Sequence, residues 1–453
     1  MPDHLNHQGD DTASGPVLLF RFLVDVKPRE LRALFLSFLY YFLILSSYYI
    51  IRPIRDDFGA AGGLENLPWM FTGTLVVMLA ANALFSALVA RYTRRRFIPV
   101  AYRFLIANLL IFFALLFFVS KQNQIWIGRA FFVWTSVFNL FVVSVFWAFM
   151  VDVFNSDQGK RLFGFISVGG TLGAIVGAAI TASLVRKIGS INLLLISALL
   201  LELSAQCVRM FPAVLTDRDA DGRSKDETAV GGRVWAGIVH NFKSPYLLGI
   251  SAYMLLYSIT STLLYFQQIG IAASAFTDRA ARTAFFAKID LAVNILTIVA
   301  QAFVTGRLLK WLGVGLTLAI LPALSVIGFM GMGVGPTLTL LVLFLTVRRA
   351  GNYAFARPAR ETLFTVISRE DKYKAKNFID TVVYRVGDQI GAWTTPALGW
   401  LGLKMAGISL VAAPLAAVWL VVSLWLGKRQ SAMTRTQVDS SSPSEPSVVK
   451  TPA

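Results

Sequence analysis

RRAGNYAFARPARETLFTVISREDKYKAKNFIDTVVYRVGDQIG, residues 348–391, sets a dense run of charge inside a chain that is otherwise strongly apolar. Arg348, Arg349, Arg357, Arg360 and Glu361 lie on or beside one apolar segment, and Asp380, Arg385 and Asp388 lie within the next. A charge at bilayer depth costs about 2.5 kcal/mol or more, so such residues normally face a partner or a watery cavity. This makes the stretch the leading site candidate.

The surrounding chain tells which solvent it is built for. It has 453 residues, 56% hydrophobic and only 15% charged, with a mean hydropathy of +0.63. That composition is an all-α polytopic membrane protein, and at about 20 residues per spanning helix there is room for about twelve spans. Apolar runs predict a first set near 33–51, 67–90, 97–120, 126–150, 162–185 and 190–211, and a second near 244–268, 281–304, 312–334, 337–366, 377–402 and 406–427. The expected organisation is an N-terminal segment (1–32), a six-helix half (33–211), a polar linker (212–243), a second half (244–427) and a disordered tail (428–453) rich in Ser, Pro and Thr.

Charge and cysteine usage exclude several classes. The net charge of +17 does not call for nucleic acid, because Lys and Arg accumulate in the cytoplasmic loops of membrane proteins. Three histidines and one cysteine, Cys207, provide no metal cluster and no disulfide framework. Asp217, Asp219, Asp221 and Gly222 imitate the start of a calcium loop, but its twelfth position is Thr228 rather than Glu. No cofactor or metal is expected, nor an enzyme, since no nucleophile–base spacing or phosphate loop is present. The polar, acidic first 16 residues lack a signal peptide's basic start and apolar core. Basic residues concentrate in alternate loops, at Arg29 and Arg32, Arg94 to Arg96, Lys160 and Arg161, Arg307 and Lys310, and Arg369 to Lys376. Both termini are thereby expected in the cytoplasm, in a bacterial inner membrane.

The halves repeat. NSDQGKRLFGFISVGGTLGAIVG (155–177) and SREDKYKAKNFIDTVVYRVGDQIG (368–391) each pair a short charged turn with a helix that begins with Phe and carries Gly further along. Two parallel six-span halves are the architecture of the major facilitator type, with substrate held between them at mid-membrane. Gly169, Gly170, Gly173 and Gly177 lie in an apolar span with no Lys-Ser/Thr after them, so they predict close helix packing rather than a phosphate cradle.

Other charges sharpen the site. The first span ends SSYYIIRPIRDDFG (46–59), with Arg52 and Arg55 three apart on one face; either these form an interfacial cap or Pro53 kinks or ends the helix and aims them inward. Lys288, Asp290 and Asn294 are open to structural pairing or to substrate and proton handling. A single helix from Thr337 to Ile367 would be roughly 46 Å long, so it either projects into the cytoplasm or breaks near Gly351 or Pro358, with Pro358 favouring a kink that leaves Arg348 and Asn352 near mid-depth. Arg385 and Asp388 are i and i+3, and Asp380 and Tyr384 are i and i+4. The stretch is thus either a self-neutralising network or a site in which arginines meet an anion while Asp380 or Asp388 gates or carries a proton. Arginine's planar fork suits phosphate and carboxylate because it donates two parallel hydrogen bonds.

At SYYIIRPIRDDF (47–58), FWAFMVDVFNSDQGKRLFGFISVGGTLGAIVG (146–177) and YAFARPARETLFTVISREDKYKAKNFIDTVVYRVGDQIG (353–391) the chain resembles the ATP/ADP translocase family of plastids and obligate intracellular bacteria. The resemblance implies nucleotide exchange. Arg55 stands where family exchangers carry a substrate-binding Lys, whereas Tyr265, Thr135 and Asp388 fall where the family places two acidic residues and a lysine. The expected function is a carrier for an organic anion, ATP and ADP or another phosphorylated metabolite, with Arg52, Arg55, Arg348, Asn352 and Arg385 as substrate contacts and Asp380 and Asp388 as proton or gating groups. The alternatives are a proton-coupled carrier of an unrelated metabolite and a non-transporting membrane scaffold.

Overall fold

The computed structural model describes residues 26–27, 30–91, 94–120, 122–211, 244–367, 375–376 and 378–441. Almost all of these are helical, and no strand occurs among them. In hydrocarbon every backbone N–H and C=O must be bonded within the protein, and a helix does so inside its own segment.

The first half comprises α1 (Leu31–Ala61), α2 (Leu67–Arg91), α3 (Arg94–Phe118), α4 (Gln124–Val153), α5 (Ser156–Ile188) and α6 (Leu193–Met210). The second comprises α7 (Pro245–Ala275), α8 (Arg279–Phe303), α9 (Thr305–Val334), α10, α11 and α12 (Met405–Ser441). Two of these are interrupted. α10 begins as Leu338–Gly351, widens into a π turn at Asn352–Ala356 and resumes as Arg357–Leu363; α11 opens with a π turn at Ile379–Val383 and runs on as Tyr384–Trp400. Among the described residues ten helices are long and apolar enough to cross a membrane. α10 and α11 are the two outside that set, and they carry the charges of 348–391.

The two halves repeat one packing scheme. α1 lies against α5 and α6, and α3 against α6; in the same way α7 lies against α11 and α12, and α9 against α12. Glycine sets the closest seams. A Cβ on Gly173 would come 2.2 Å from the carbonyl oxygen of Phe42, and one on Gly177 would come 2.4 Å from that of Ser46. On the other side, Gly387 and Gly391 bring α11 against Ser258 and Thr262 of α7. Between halves, α8 rests on α1 and α5, and α2 on α11.

Three sequence expectations change. Pro53 does not end the first span: α1 continues to Ala61, which draws Arg52 to Asp57 inside the protein, with Asp56 and Asp57 only 3% and 0% exposed. The break or kink expected in the tenth span near Gly351 or Pro358 takes the form of a π turn at Asn352–Ala356, and helix resumes at Arg357. α12 runs through Lys428 to Ser441 instead of yielding to a tail there, since no Gly or Pro follows Gly427 until Pro443. The linker 212–243, with its calcium-like acidic run, lies outside the described residues, as do Arg369 to Lys374.

Candidate functional site

α7 organises the centre of the molecule through its hydroxyl groups. Ser258 and Thr262, one helical turn apart, both reach Oδ1 of Asp388 on α11, at 2.7 and 3.2 Å. Thr260 and Ser261 turn the other way and accept from Arg348 on α10, whose Nη2 and Nη1 lie 2.8 and 3.0 Å from their oxygens. Arg348 Nε donates to Ser325 on α9 at 2.9 Å. Each of these three hydroxyls donates its own proton to a carbonyl of its own helix. They therefore face Arg348 as fixed acceptors, which stabilises the guanidinium without neutralising it.

Among the described residues Arg348 has no carboxylate partner, although it is 3% exposed. Its guanidinium lies 5.5 Å from the Tyr257 ring centre and 5.7 Å from that of Trp419. A buried cation held by lone pairs and aromatic faces keeps its charge available to whatever enters beside it.

What enters is defined by a cavity of about 250 Å³ between the halves. Arg52 and Arg55 of α1 face it from one half, and Arg348, Arg349 and Arg385 from the other. Asn352, Tyr353 and Tyr384, set by the two π turns, add polar groups, while Phe71, Leu75 and Phe132 form an apolar wall. Among the described residues Asp388 is the single carboxylate on the lining; Asp56 and Asp290 stand directly behind it. Five arginines against three aspartates leave a surplus of two positive charges.

The pairings are specific. Arg55 binds Asp56 at 2.6 Å, and Tyr265 of the opposite half donates to the same oxygen at 2.9 Å. Arg52 and Arg349 share Asp290, at 3.3 and 2.7 Å. Arg385 meets Asp388 at 3.2 Å, the i, i+3 pair read from the sequence. Thus Arg52, Arg55, Arg348, Asn352, Arg385 and Asp388 come together around one space. Asp380 does not: it pairs with Arg360 at 3.3 Å, away from the cavity and not with Tyr384.

At the end of the helices marked by Gly62 the halves are fastened to each other. Asp57 accepts from Arg282 at 2.8 Å and from Arg279 at 3.0 Å, both on α8. Trp69 of α2 packs on Trp393 of α11 at 4.9 Å, and Thr72 bonds Gln389 at 2.9 Å. Nothing in the sequence marks Arg279 and Arg282 as partners of Asp57, and Asp290 is open there between structural pairing and substrate or proton handling. The one available signal was the hydroxyl run Ser258, Thr260, Ser261 and Thr262 in an otherwise apolar span, and nothing in spacing joins it to residues about 90 to 130 positions away. Among the described residues no cluster of ligands fit for a metal is found.

The family model described as Major Facilitator Superfamily matches residues 31–372. No curated protein matches the sequence. Similar solved structures include a bacterial homolog of the human lysosomal transporter Spinster in an inward-facing, unoccupied conformation, with a TM-score of 0.56, 13% identity and coverage of 92% of this chain and 100% of that one. The nucleoside transporter NupG is similar at a TM-score of 0.56 and 14% identity over 90% of this chain and 100% of its own. PepTSo, a POT family transporter, gives 0.57 and 13% over 91% and 99%. At these identities the likeness is one of fold.

Proposed function

We propose that this chain, which belongs to the major facilitator superfamily, carries a small organic anion across the membrane by alternating access, and that Arg348 is its principal anion contact. The observation that carries this is the state of Arg348: buried, on the cavity wall, held by three hydroxyls and by no carboxylate among the described residues. A bound phosphate or carboxylate supplies the missing charge. Arg385, held only by one 3.2 Å contact and 36% exposed, and Arg52 are placed to share it. Asp388 neutralises Arg385 when the site is empty.

The cavity size bears on the substrate. About 250 Å³ lies below the roughly 300–1,000 Å³ typical of pockets for drug-sized ligands, which favours a phosphorylated or carboxylated metabolite smaller than a nucleoside triphosphate. ATP:ADP exchange, the activity implied by the resemblance, requires a wider state of the same site. The basic loops support placing the Leu31 end of α1 in the cytoplasm, so the fastened Gly62 end faces outside.

The test is a melting-temperature screen of the purified protein with phosphate, sugar phosphates, nucleotides, dicarboxylates, neutral sugars and amino acids, followed by uptake of the best ligand into liposomes. Stabilisation by anions and its loss in Arg348→Gln is expected, because a ligand raises the melting temperature by mass action. Stabilisation by neutral compounds alone overturns the proposal.

A further inference from the structure

Asp290 stands behind the cavity wall yet holds two of the arginines that form it. It is 1% exposed, and its Oδ1 accepts from Arg349 of its own half and lies 3.3 Å from Arg52 of the other half. Among the described residues its Oδ2 has no hydrogen-bond partner, and neither does the buried Nε of Arg52.

The setting gives this pairing a direction. α1 and α8 run antiparallel and are joined by two rungs with their charges exchanged. In the outer rung Asp57 of α1 uses both carboxylate oxygens to accept from Arg279 and Arg282 of α8. In the inner rung Arg52 of α1 meets Asp290 of α8 through one oxygen only. Among the described residues each rung leaves one buried arginine nitrogen without a partner, Nη2 of Arg279 and Nε of Arg52, but only in the inner rung does a carboxylate oxygen also lack one, Oδ2 of Asp290. A buried polar atom without a partner costs about 1–3 kcal/mol.

We propose that Asp290 is a coupling carboxylate: an anion entering the cavity takes Arg52 and Arg349 from it, and this exchange of partners unties α1 from α8. The inference rests on the anion reading and adds which ion pair the substrate breaks. Both arginines line the cavity, so an anion meets them from the front while Asp290 holds them from behind. A phosphate offers three or more oxygens where Asp290 engages one, so each guanidinium gains hydrogen bonds by turning. Once Arg52 has turned, no charge of α1 remains on Asp290, and the inner half of the α1–α8 contact is free to part.

Inorganic phosphate is the probe, applied to the full chain in lipid nanodiscs. Nitroxides at the exposed positions Phe35→Cys and Phe303→Cys, in a Cys207→Ser background, report the distance between α1 and α8 at the Leu31 end. Saturating phosphate is expected to create a second distance population in the otherwise unaltered protein. Asp290→Asn is expected to show that population without phosphate and to bind phosphate about tenfold tighter, the worth of one competing charge pair. Asp388→Asn also removes a carboxylate beside a cavity arginine, but one paired within its own half. It is expected to tighten phosphate without producing the new population, which separates untying from a general rise in positive potential. Phosphate binding with no change in distance overturns the inference and leaves the anion reading standing; so does Asp290→Asn with unchanged or weaker affinity. If phosphate does not bind saturably, the best anion of the melting screen takes its place by the same criteria, and absence of saturable binding by any of those anions overturns the anion reading and this inference with it. If Asp290→Asn does not fold, the phosphate response of the labelled parent carries the test: a second distance population supports the inference, and saturable binding without it overturns the inference.

Discussion

The last turns of α1 and the stretch from Arg348 to Asp388 are built from the same two residue types and use them in opposite ways. In α1, Arg52, Arg55, Asp56 and Asp57 each have an oppositely charged partner, and three of the four pairs cross between halves. In α10 and α11, Arg349 and Arg360 are paired in the same manner, with Asp290 and Asp380, but Arg348 at the cavity has no carboxylate among the described residues, and Arg385 meets Asp388 at 3.2 Å while 36% exposed. Charge that is neutralised by protein fastens; charge that is only solvated by hydroxyls waits for a ligand. Composition cannot distinguish the two cases, because the difference lies in what the neighbouring helix presents: arginines of α8 in one, serine and threonine of α7 in the other.

The sharpest way to break the contrast is to remove the carboxylate at the Gly62 end. Asp57→Asn leaves Arg279 and Arg282 facing a neutral group in a buried place. Removing one partner of a buried pair costs about 3–5 kcal/mol, and here the loss falls on contacts between halves. Thermal unfolding in detergent should drop strongly, and a cysteine cross-link between Ala61→Cys and Thr277→Cys at that end should form more slowly. A drop equal to that of a surface pair would show that the end is not fastened by this group.

Replacing Arg348 by Met tests the other side. The three hydroxyls keep their hydrogen bonds to their own carbonyls, so little is orphaned, and exchanging a buried charge for an apolar chain of similar volume is often neutral or stabilising. Anion affinity should fall about 10- to 100-fold, from the loss of charge-assisted bonds worth about 1.5–3 kcal/mol, while the melting temperature of the empty protein holds or rises. Fall of both together would place Arg348 among the structural charges.

Much of this was open to inspection in the sequence, and the division has a physical cause. Apolar runs show the helices and the repeat, because membrane burial is a one-dimensional property of the chain. Gly173 and Gly177 were legible as a packing seam, and Arg348, Arg385 and Asp388 as a cluster, because each is a local pattern. The partner of each charge was not legible. Asp290 and Arg52 are 238 positions apart, by their numbering, and Asp57 and Arg282 meet across 225; no periodicity links them. Asp380 reads as a site residue because it shares a span with Arg385, yet it pairs with Arg360 away from the cavity.

The glycine seams carry the comparison into packing. A methyl group at Gly173 meets the Phe42 carbonyl at 2.2 Å, backbone that cannot yield, whereas at Gly387 it meets the Ser258 side chain at 2.6 Å and the Leu255 carbonyl at 3.0 Å. Overpacking costs about 1–3 kcal/mol, and Gly173→Ala should sit at the upper end. Gly387→Ala should cost less in melting temperature but more in anion binding, since it displaces the helix of Arg385 and Asp388. Equal effects on binding would remove the functional distinction between the two seams.

The smallest expected effect comes from an ion pair that lies within one half. Glu30, just before α1, accepts from the backbone N–H of Lys27, from Gln158 and from Arg161. Burial pushes its carboxyl up, but these donors outweigh it and hold the group below its ordinary value. A carboxylate lowered in the folded state contributes stability that is complete above its unfolded value, about 4.3, and is lost as pH falls through the lower folded value. Glu30→Gln should therefore reduce stability by about 1 kcal/mol at neutral pH, and the gap from the parent protein should close on acidification below about pH 4. Because Glu30, Gln158 and Arg161 all belong to the first half, the α1–α8 distances and phosphate affinity should not change. A shift in either would mean that pairs within a half also govern how the halves meet.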